Sequence, residues 1–427
     1  MKEKLITIFL TILILVVPIA ILPSEKENYS VIKIVLLVVL STILFILLLI
    51  NYKKLTIDKT DILAIIFAVL VFASTMFSSD IKTSIFGAYR RYEGMLAYFS
   101  YIIIYFCAKK FLNYKNSNTL LNVAYILFIT VSILGVLQYY ISIPSLYPIF
   151  SKGICGTFGN TNFIGSFISL GIPVFMILYI FKGFKLSYIT SILLFFCLIA
   201  CHARSLWVAF AGILVIIIAY LIKNKKKEYL KRTLILFISF IAITAYIYAN
   251  PNSEFKNSLN IISKELKLAK KNGIQPEMGS MRIQIWQITL GVIKQKPILG
   301  VGTDNLARGI AESNTKESIE FIEEWNSIFD KAHNEYLQIM ATIGIPALIV
   351  YLTFIGNILF KKRKKFFNNL STFAVVNSIL CYMVQAFFNI STVGIAPLFW
   401  FMLGLLDSYD SDPNLNKVGQ IQLDEQK

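Results

Sequence analysis

The chain holds only two histidines, His202 and His333. Imidazole has an ordinary pKa of about 6.5, so it can take up and return a proton near neutrality. Both histidines have charged neighbours. HARSLWVAF sets Arg204 two residues after His202, and DKAHNEYLQ sets His333 between Asp330 and Glu335, whose spacing lets them orient its ring. Arginine supplies a planar, permanently charged fork that grips a phosphate or carboxylate through paired hydrogen bonds. Arg90 and Arg91 lie in FGAYRRYEGM, and Arg282 lies in RIQIWQITLG. Trp286 follows Arg282 by four residues and so shares its helix face. GTFGNTNFIG adds Asn160, Thr161 and Asn162.

Each cluster has a structural reading when taken alone. Arg91 and Arg204 can snorkel to headgroups, GNTN can cap a helix, and His333 can sit at an interface. Three other patterns stay with such readings. Cys197, Cys201 and His202 are close in sequence, but no second ligand pair with zinc-like spacing exists, and the five cysteines fall mostly in apolar runs. The G-x-G at 300–302 is a loop between helices. The D-x-D of Asp410 and Asp412 lies in a polar tail.

Positioning such groups requires elements, and the composition says which. Hydrophobic residues make up 56% of the 427 and charged residues 15%. Soluble domains carry less of the first and more of the second. A soluble enzyme, a disordered chain and a disulfide scaffold are excluded. A spanning helix needs about 20 mostly apolar residues. Such runs fall at 5–22, 31–50, 61–77, 94–108, 120–141, 161–181, 187–203, 205–222, 233–249, 334–359, 368–388 and 392–406. The expected fold is an all-α integral membrane protein of about twelve transmembrane helices. The first run follows Lys2 and Lys4 but has no A-x-A cleavage signal, so it is taken as a retained helix.

With the N-terminus inside, the inner segments hold 23 basic residues and the short outer segments seven. The inner set includes the runs at 223–232 and 361–365; the remaining eleven lie in 250–333. The positive-inside rule then places both termini in the cytoplasm and 250–333 outside. The net charge of +17 is assigned to membrane anchoring rather than to nucleic acid. Residues 1–249 carry helices one to nine, 250–333 an outer segment, 334–406 helices ten to twelve, and 407–427 a cytoplasmic tail. The outer segment is expected to be partly helical, over ISKELKLAKK, RIQIWQITLGVIKQ, TDNLARGI and the acidic ESIEFIEEWNSIF, and to cap the outer mouth of the bundle. On this layout both histidines, Arg91, Arg204 and the GNTN stretch share the outer side.

The order of HARSLWVAF, the Arg282 and Trp286 pair, PILGVG at 297–302, HNEYLQ at 333–338 and then Gly344 resembles the O-antigen ligase and polymerase family of bacterial membrane proteins. GTFGNTNFIG and FGAYRRYEGM also look like segments of that family, so the resemblance spans about 85–350. It implies transfer or polymerisation of a glycan from an undecaprenyl-pyrophosphate-linked donor, without metal or other cofactor, at the outer face of the bacterial inner membrane. It gives Arg204 and Arg282 the donor pyrophosphate and His333 the activation of the acceptor hydroxyl. Arg91 and Asn162 join as further substrate-binding residues. His202 departs from the family's usual serine or threonine and receives no role.

The implied chemistry suits these residue types. Two guanidinium forks would take the charge that develops on a leaving pyrophosphate. An imidazole would take the acceptor's proton, and attack opposite the leaving group would invert the anomeric centre. The acceptor is a glycan, a lipid or a protein, and the donor's prenyl chain would lie among membrane lipids. The alternative is a flippase or other transporter, which would need charged groups along a path from the inner side. The span centres carry almost none.

Overall fold

A computed structural model of the chain describes residues 2–22, 29–51, 56–112, 116–141, 153–224, 226–250, 253–273, 275–276 and 278–408. Asp410 and Asp412, Lys26, Lys53, Lys54, Lys115, Lys152, Lys225, Lys417 and Lys427 lie outside the described residues. Helices account for the regular structure, and no strand occurs among the described residues.

The first ten helices are α1 (Lys2–Ile19), α2 (Val31–Ile50), α3 (Lys59–Met76), the short α4 (Ile81–Phe86), α5 (Met95–Phe111), α6 (Ser117–Tyr140), α7 (Thr161–Lys182), α8 (Lys185–Ala200), α9 (Arg204–Asn224) and α10 (Lys227–Ala249). The segment 250–333 contributes α11 (Phe255–Asn272), α12 (Arg282–Gln295), α13 (Leu306–Ser313) and α14 (Lys316–Trp325). The chain continues through α15 (Glu335–Thr342), α16 (Ile345–Lys362), α17 (Leu370–Ala386) and α18 (Ala396–Ser408). Among the described residues seven helices, α2, α3, α6, α7, α9, α10 and α16, are long and apolar enough to cross a membrane, and α1, α8, α17 and α18 are shorter apolar helices. A multi-pass helical membrane protein follows, because a helix satisfies its own backbone hydrogen bonds where no water is available.

Each apolar run is occupied by helix, but the run at 334–359 is divided into α15 and α16. Gly344 makes the break. Its φ is 110°, and a Cβ there would stand 1.9 Å from the carbonyl oxygen of Ile298. Only glycine fits that approach. Ile345 then donates its N–H to the carbonyl of Pro297 (2.8 Å), so the PILG turn and the start of α16 are one joint.

α7 is the most enclosed of the long helices and packs along α17 and α8, while α5 packs along α18. α1 is part of the bundle core through Ile6, Leu10, Leu13 and Val17. At its C-terminal end the buried Lys33 amine donates to the carbonyls of Pro18 (2.8 Å) and Ala20 (2.6 Å). A cation there satisfies the orphan carbonyls of a helix end.

The two ends of the bundle differ. One carries an ion cluster in which Lys109 meets Asp58, Asp61 and Asp407 at 2.7, 2.8 and 2.7 Å, and Lys361 meets Asp58 and Asp407 at 3.0 and 3.3 Å. Three of the counted basic residues, Lys109, Lys361 and Lys110, which pairs with Asp61, are therefore taken up by internal pairing. The opposite end carries a second, smaller core of Ile288, Val292, Ile293, Val301, Leu306, Ile310, Phe321, Ala332 and Ala341, built from α12 to α15. This small core is pinned to the end of α3 and to α4. The Asn305 amide donates to the Ser78 hydroxyl, the Asp80 carbonyl and the Ser84 hydroxyl at 2.7, 2.9 and 2.8 Å. Gly302, at φ 101°, lies where a Cβ would meet the hydroxyls of Ser78 and Ser84 at 2.2 and 2.3 Å. The G-x-G is thus a loop pressed onto the bundle. The five cysteines are buried thiols; Cys197 and Cys201 turn to the carbonyls of Ser132 and Leu198.

Candidate functional site

A cavity of about 480 Å³ opens between the capped end of the bundle and the segment above it. Thr161, Asn162, His202, Arg204, Ser205, Arg282 and His333 line it, together with Val208, Ser258, Ile261, Gly279, Ser280, Ile285 and Phe388. Four of the five expected site residues, Arg204, Arg282, His333 and Asn162, are therefore brought to one wall-to-wall space. Its size is that of a small-molecule site.

Three helices begin at this cavity: α7 at Thr161, α9 at Arg204 and α12 at Arg282. Unpaired N–H groups and the positive end of the helix dipole favour an anion at each start. Asn160 caps α7 by accepting the Asn162 N–H (2.8 Å), and the Asn162 carbonyl accepts from the Asn389 amide (2.8 Å). Ser205, in the first turn of α9, has a buried hydroxyl with no partner among the described residues.

The two guanidiniums are held differently. Arg282 donates to the carbonyls of Phe388 (3.0 Å) and Gly279 (2.9 Å). Burial, and then the charge of Arg204, lower its pKa from the ordinary value. Arg204 donates to the Glu265 carboxylate (3.0 Å) and the Ser280 hydroxyl (2.7 Å). Two like charges that disfavour each other are thus kept around one space. An anion of more than one negative charge would relieve them.

His333 stands on a turn whose other side chains hold the fold. Asn334 caps α15 by accepting the N–H groups of Tyr336 and Leu337, both at 3.0 Å. Glu335 accepts from the hydroxyls of Tyr351 (2.9 Å) and Tyr382 (3.0 Å). Gln338 accepts the Ala332 N–H (2.8 Å), and the Tyr336 hydroxyl donates to the Met383 carbonyl (2.7 Å). His333 itself sits at φ 48°, a conformation that costs a residue with a Cβ, and its Nδ1 is buried without a partner among the described residues. Burial, then the charges of Arg282 and Arg91, lower its pKa to about 4. The ring is neutral at physiological pH and able to accept a proton.

Two sequence expectations change here. Asp330 and Glu335 do not orient the His333 ring: Glu335 is taken by two tyrosines, and Asp330 by Arg91. Arg91 is not on the cavity wall. Its Nε and terminal nitrogen grip Asp330 at 2.6 and 3.1 Å, three residues before His333, and it stands 5.9 Å from the Phe163 ring. Next to this pair the buried Lys331 amine bridges Glu93 (3.0 Å) and Asp304 (2.7 Å). Asp304 also accepts the N–H groups of Ala88 (2.7 Å) and Glu93 (3.1 Å). The RRYEG segment thus fixes the loop that presents His333.

His202, Ser205, Ser280 and Glu265 are the residues that sequence reasoning left without a part. His202 shares the left-handed backbone of His333, with φ 56°, and its Nδ1 is also buried without a partner among the described residues. Its nearness to Arg204 in sequence was the available signal. Glu265 offered none, since it lies 61 residues from Arg204 in a helix whose other charged residues are lysines.

Residues 189–352 match the family described as O-antigen ligase, a span that includes Arg204, Arg282 and His333. Over 245 residues the chain is 26% identical to the ComP-specific O-oligosaccharyltransferase of Acinetobacter baylyi, in an alignment covering 54% of this chain and 41% of that protein. The match spans less than half the length of that relative.

Proposed function

We propose, from the match of residues 189–352 to the O-antigen ligase family, a glycosyltransferase acting at the outer face of the cell membrane. It would transfer or polymerise a glycan from an undecaprenyl-pyrophosphate-linked donor onto a hydroxyl acceptor, without metal and with inversion. One observation carries the reading: two arginines, three helix starts and a neutral histidine face a single cavity. The name of the Acinetobacter relative, an O-oligosaccharyltransferase, agrees with a hydroxyl acceptor.

In this reading Arg204 and Arg282 hold the donor diphosphate, helped by the N–H groups that open α7, α9 and α12. Val208 and Ile261 are apolar and largely exposed at the cavity wall, which gives the prenyl chain an exit toward lipid. His333 takes the acceptor proton as the acceptor oxygen bonds to the anomeric carbon. The bond from that carbon to the pyrophosphate breaks, and its electron pair leaves with the lipid diphosphate. The two guanidiniums take up that charge. A bound diphosphate would offset the field of Arg282, raise the His333 pKa from about 4 and make the ring a stronger base where the substrate is present. Asn162 borders the sugar side of the cavity. Arg91 acts through Asp330 and Lys331 neighbours on the loop that carries His333.

The same reading assigns 1–249 to nine spans, 250–333 to the outer cap, 334–406 to three spans and 407–427 to a cytoplasmic tail, in a bacterial inner membrane with both termini inside. Impermeant labelling of single cysteines tests it: position 267 should react from outside intact cells and position 227 should not.

The activity test uses purified protein in nanodiscs with a synthetic undecaprenyl-pyrophosphate oligosaccharide and a hydroxyl acceptor. Transfer with inverted linkage, unaffected by chelator and lost on Arg204→Lys or Arg282→Lys, is the expected result. A point charge does not reproduce the paired hydrogen bonds of the fork. Retained donor binding in both lysine variants would remove the diphosphate assignment.

A further inference from the structure

α11 is an 18-residue helix with one buried residue, Phe255, at its first turn. That ring packs edge-on against Trp207 of α9, with centroids 5.3 Å apart. Beyond it the helix is thinly packed. Leu266 is 66% exposed, and Gly273 ends the helix at φ 75°. Space lies along its inner face: Ile261 borders the 480 Å³ cavity and also a second one of about 500 Å³, shared by Glu265, Leu268, Asn272, Gln275 and Met278. A helix with one buried anchor and open volume along its face belongs to the less stable part of a fold.

The charged contact of this helix is with the site. Glu265 reaches Arg204 at 3.0 Å, and both side chains keep over a quarter of their surface in contact with solvent. The carboxylate meets the same guanidinium that the diphosphate reading assigns to the donor. Carboxylate and phosphate oxygens accept from an arginine fork in the same way, so the two are rivals for one partner. Without an anion, Arg204 would stand beside Arg282, whose pKa its charge already lowers. A partly solvated pair of this kind is weak, and a diphosphate bears more charge than one carboxylate.

We propose that Glu265 is a placeholder for a donor phosphate: it holds Arg204 in the empty cavity and withdraws with α11 when the lipid-linked diphosphate binds. This rests on the donor assignment above and adds to it a residue that sets donor affinity and the element that must move. Phe255 on Trp207 is the pivot, and Ser280 stays on Arg204 as Glu265 leaves.

The test titrates inorganic pyrophosphate into the purified full chain in detergent by calorimetry. Glu265→Gln removes the charge and keeps the shape, so half-saturation should fall roughly two- to fivefold, the range for losing a partly exposed ion pair. Hydrogen exchange of the wild-type protein should show α11 losing protection on saturation. If Arg282→Ala abolishes binding while Glu265→Gln binds no better than wild type, the placeholder is wrong and the donor site stands. If wild type fails to bind, or Arg282→Ala binds as well as wild type, the donor assignment falls and the placeholder with it. Should Glu265→Gln not fold, exchange decides alone: unchanged protection of α11 at saturating pyrophosphate overturns the proposal.

Discussion

The Trp286 indole donates its N–H to the carbonyl of Ala332, 3.1 Å away and one residue before His333. Arg282 lies one turn earlier on the same helix. The element that positions an anion-holding fork therefore also positions the proton acceptor. The indole packs edge-on against Phe387 (5.5 Å), so its body is fixed as well. Trp286→Phe keeps an aromatic body and removes the donor. Transfer should fall roughly ten- to a hundredfold, because a small displacement of a reacting group is costly, while donor affinity, measured by calorimetry, should stay near that of wild type. Equal losses of donor affinity and transfer would mean that Trp286 supports Arg282 alone.

Lys331 is the buried counter-charge of the same loop. Removing it as Lys331→Met leaves Glu93 and Asp304 facing each other without a cation, a situation that costs about 3–5 kcal/mol. The variant should melt well below wild type and expose 250–333 to limited proteolysis. Adding Asp304→Asn should recover part of the loss, since the two changes share one interaction. Additive losses in the double variant would count against the bridge.

How much of this was legible in the sequence depends on what each feature rests on. Apolar runs are local, so every run is found as helix, and Asn160 of the GNTN stretch caps α7. The order of arginines and histidine also marked the cavity wall. Partnerships across the fold were not legible. Arg91 and Asp330 are 239 residues apart, and only the docked loop decides that Asp330 faces Arg91 rather than the imidazole. The direction of His333 depends on its φ of 48°, which no spacing rule predicts for a residue with a Cβ. Counting lysines gave a bias but not a setting: Lys109 and Lys361 look like headgroup anchors in sequence, and three carboxylates from the start of α3 and from α18 enclose them. The break at Gly344 was hidden because the hydrophobicity of 334–359 continues through it, whereas the backbone must turn to admit Ile298.

The pH dependence follows from the sign of the His333 shift. Its pKa in the free protein is lowered to about 4 by burial and by Arg282 and Arg91. The neutral ring is the active form, so kcat/KM should be flat above that value and fall as pH drops through it. Binding of the diphosphate cancels part of the positive field, which raises the pKa in the complex. The acid limb of kcat should therefore lie at higher pH than the limb of kcat/KM. Arg91→Gln removes one of the depressing charges and should move the kcat/KM limb upward. A limb that stays in place in that variant would detach the pH dependence from His333.

The sharpest expectation concerns His333 itself. Every other polar side chain of HNEYLQ is engaged in holding the turn, through the cap of Asn334, the tyrosine pair on Glu335, the Tyr336 hydroxyl on Met383 and the Gln338 bond to Ala332. The Nδ1 of the imidazole has no partner among the described residues. His333→Ala should leave the turn intact and the melting temperature close to that of wild type, because a half-buried ring without hydrogen bonds supports little of the fold. The diphosphate contacts come from Arg204 and Arg282, so donor binding should persist. Transfer should fall by about 10²–10⁴, the usual contribution of a positioned general base. Single-turnover kinetics with preloaded donor separates these effects. A loss confined to the chemical step assigns the proton transfer to His333. Retained transfer would move the base elsewhere, and His202 is then the group to test, since Asp330 is held by Arg91 and Glu335 is enclosed by Tyr351 and Tyr382 while His202 faces the same cavity.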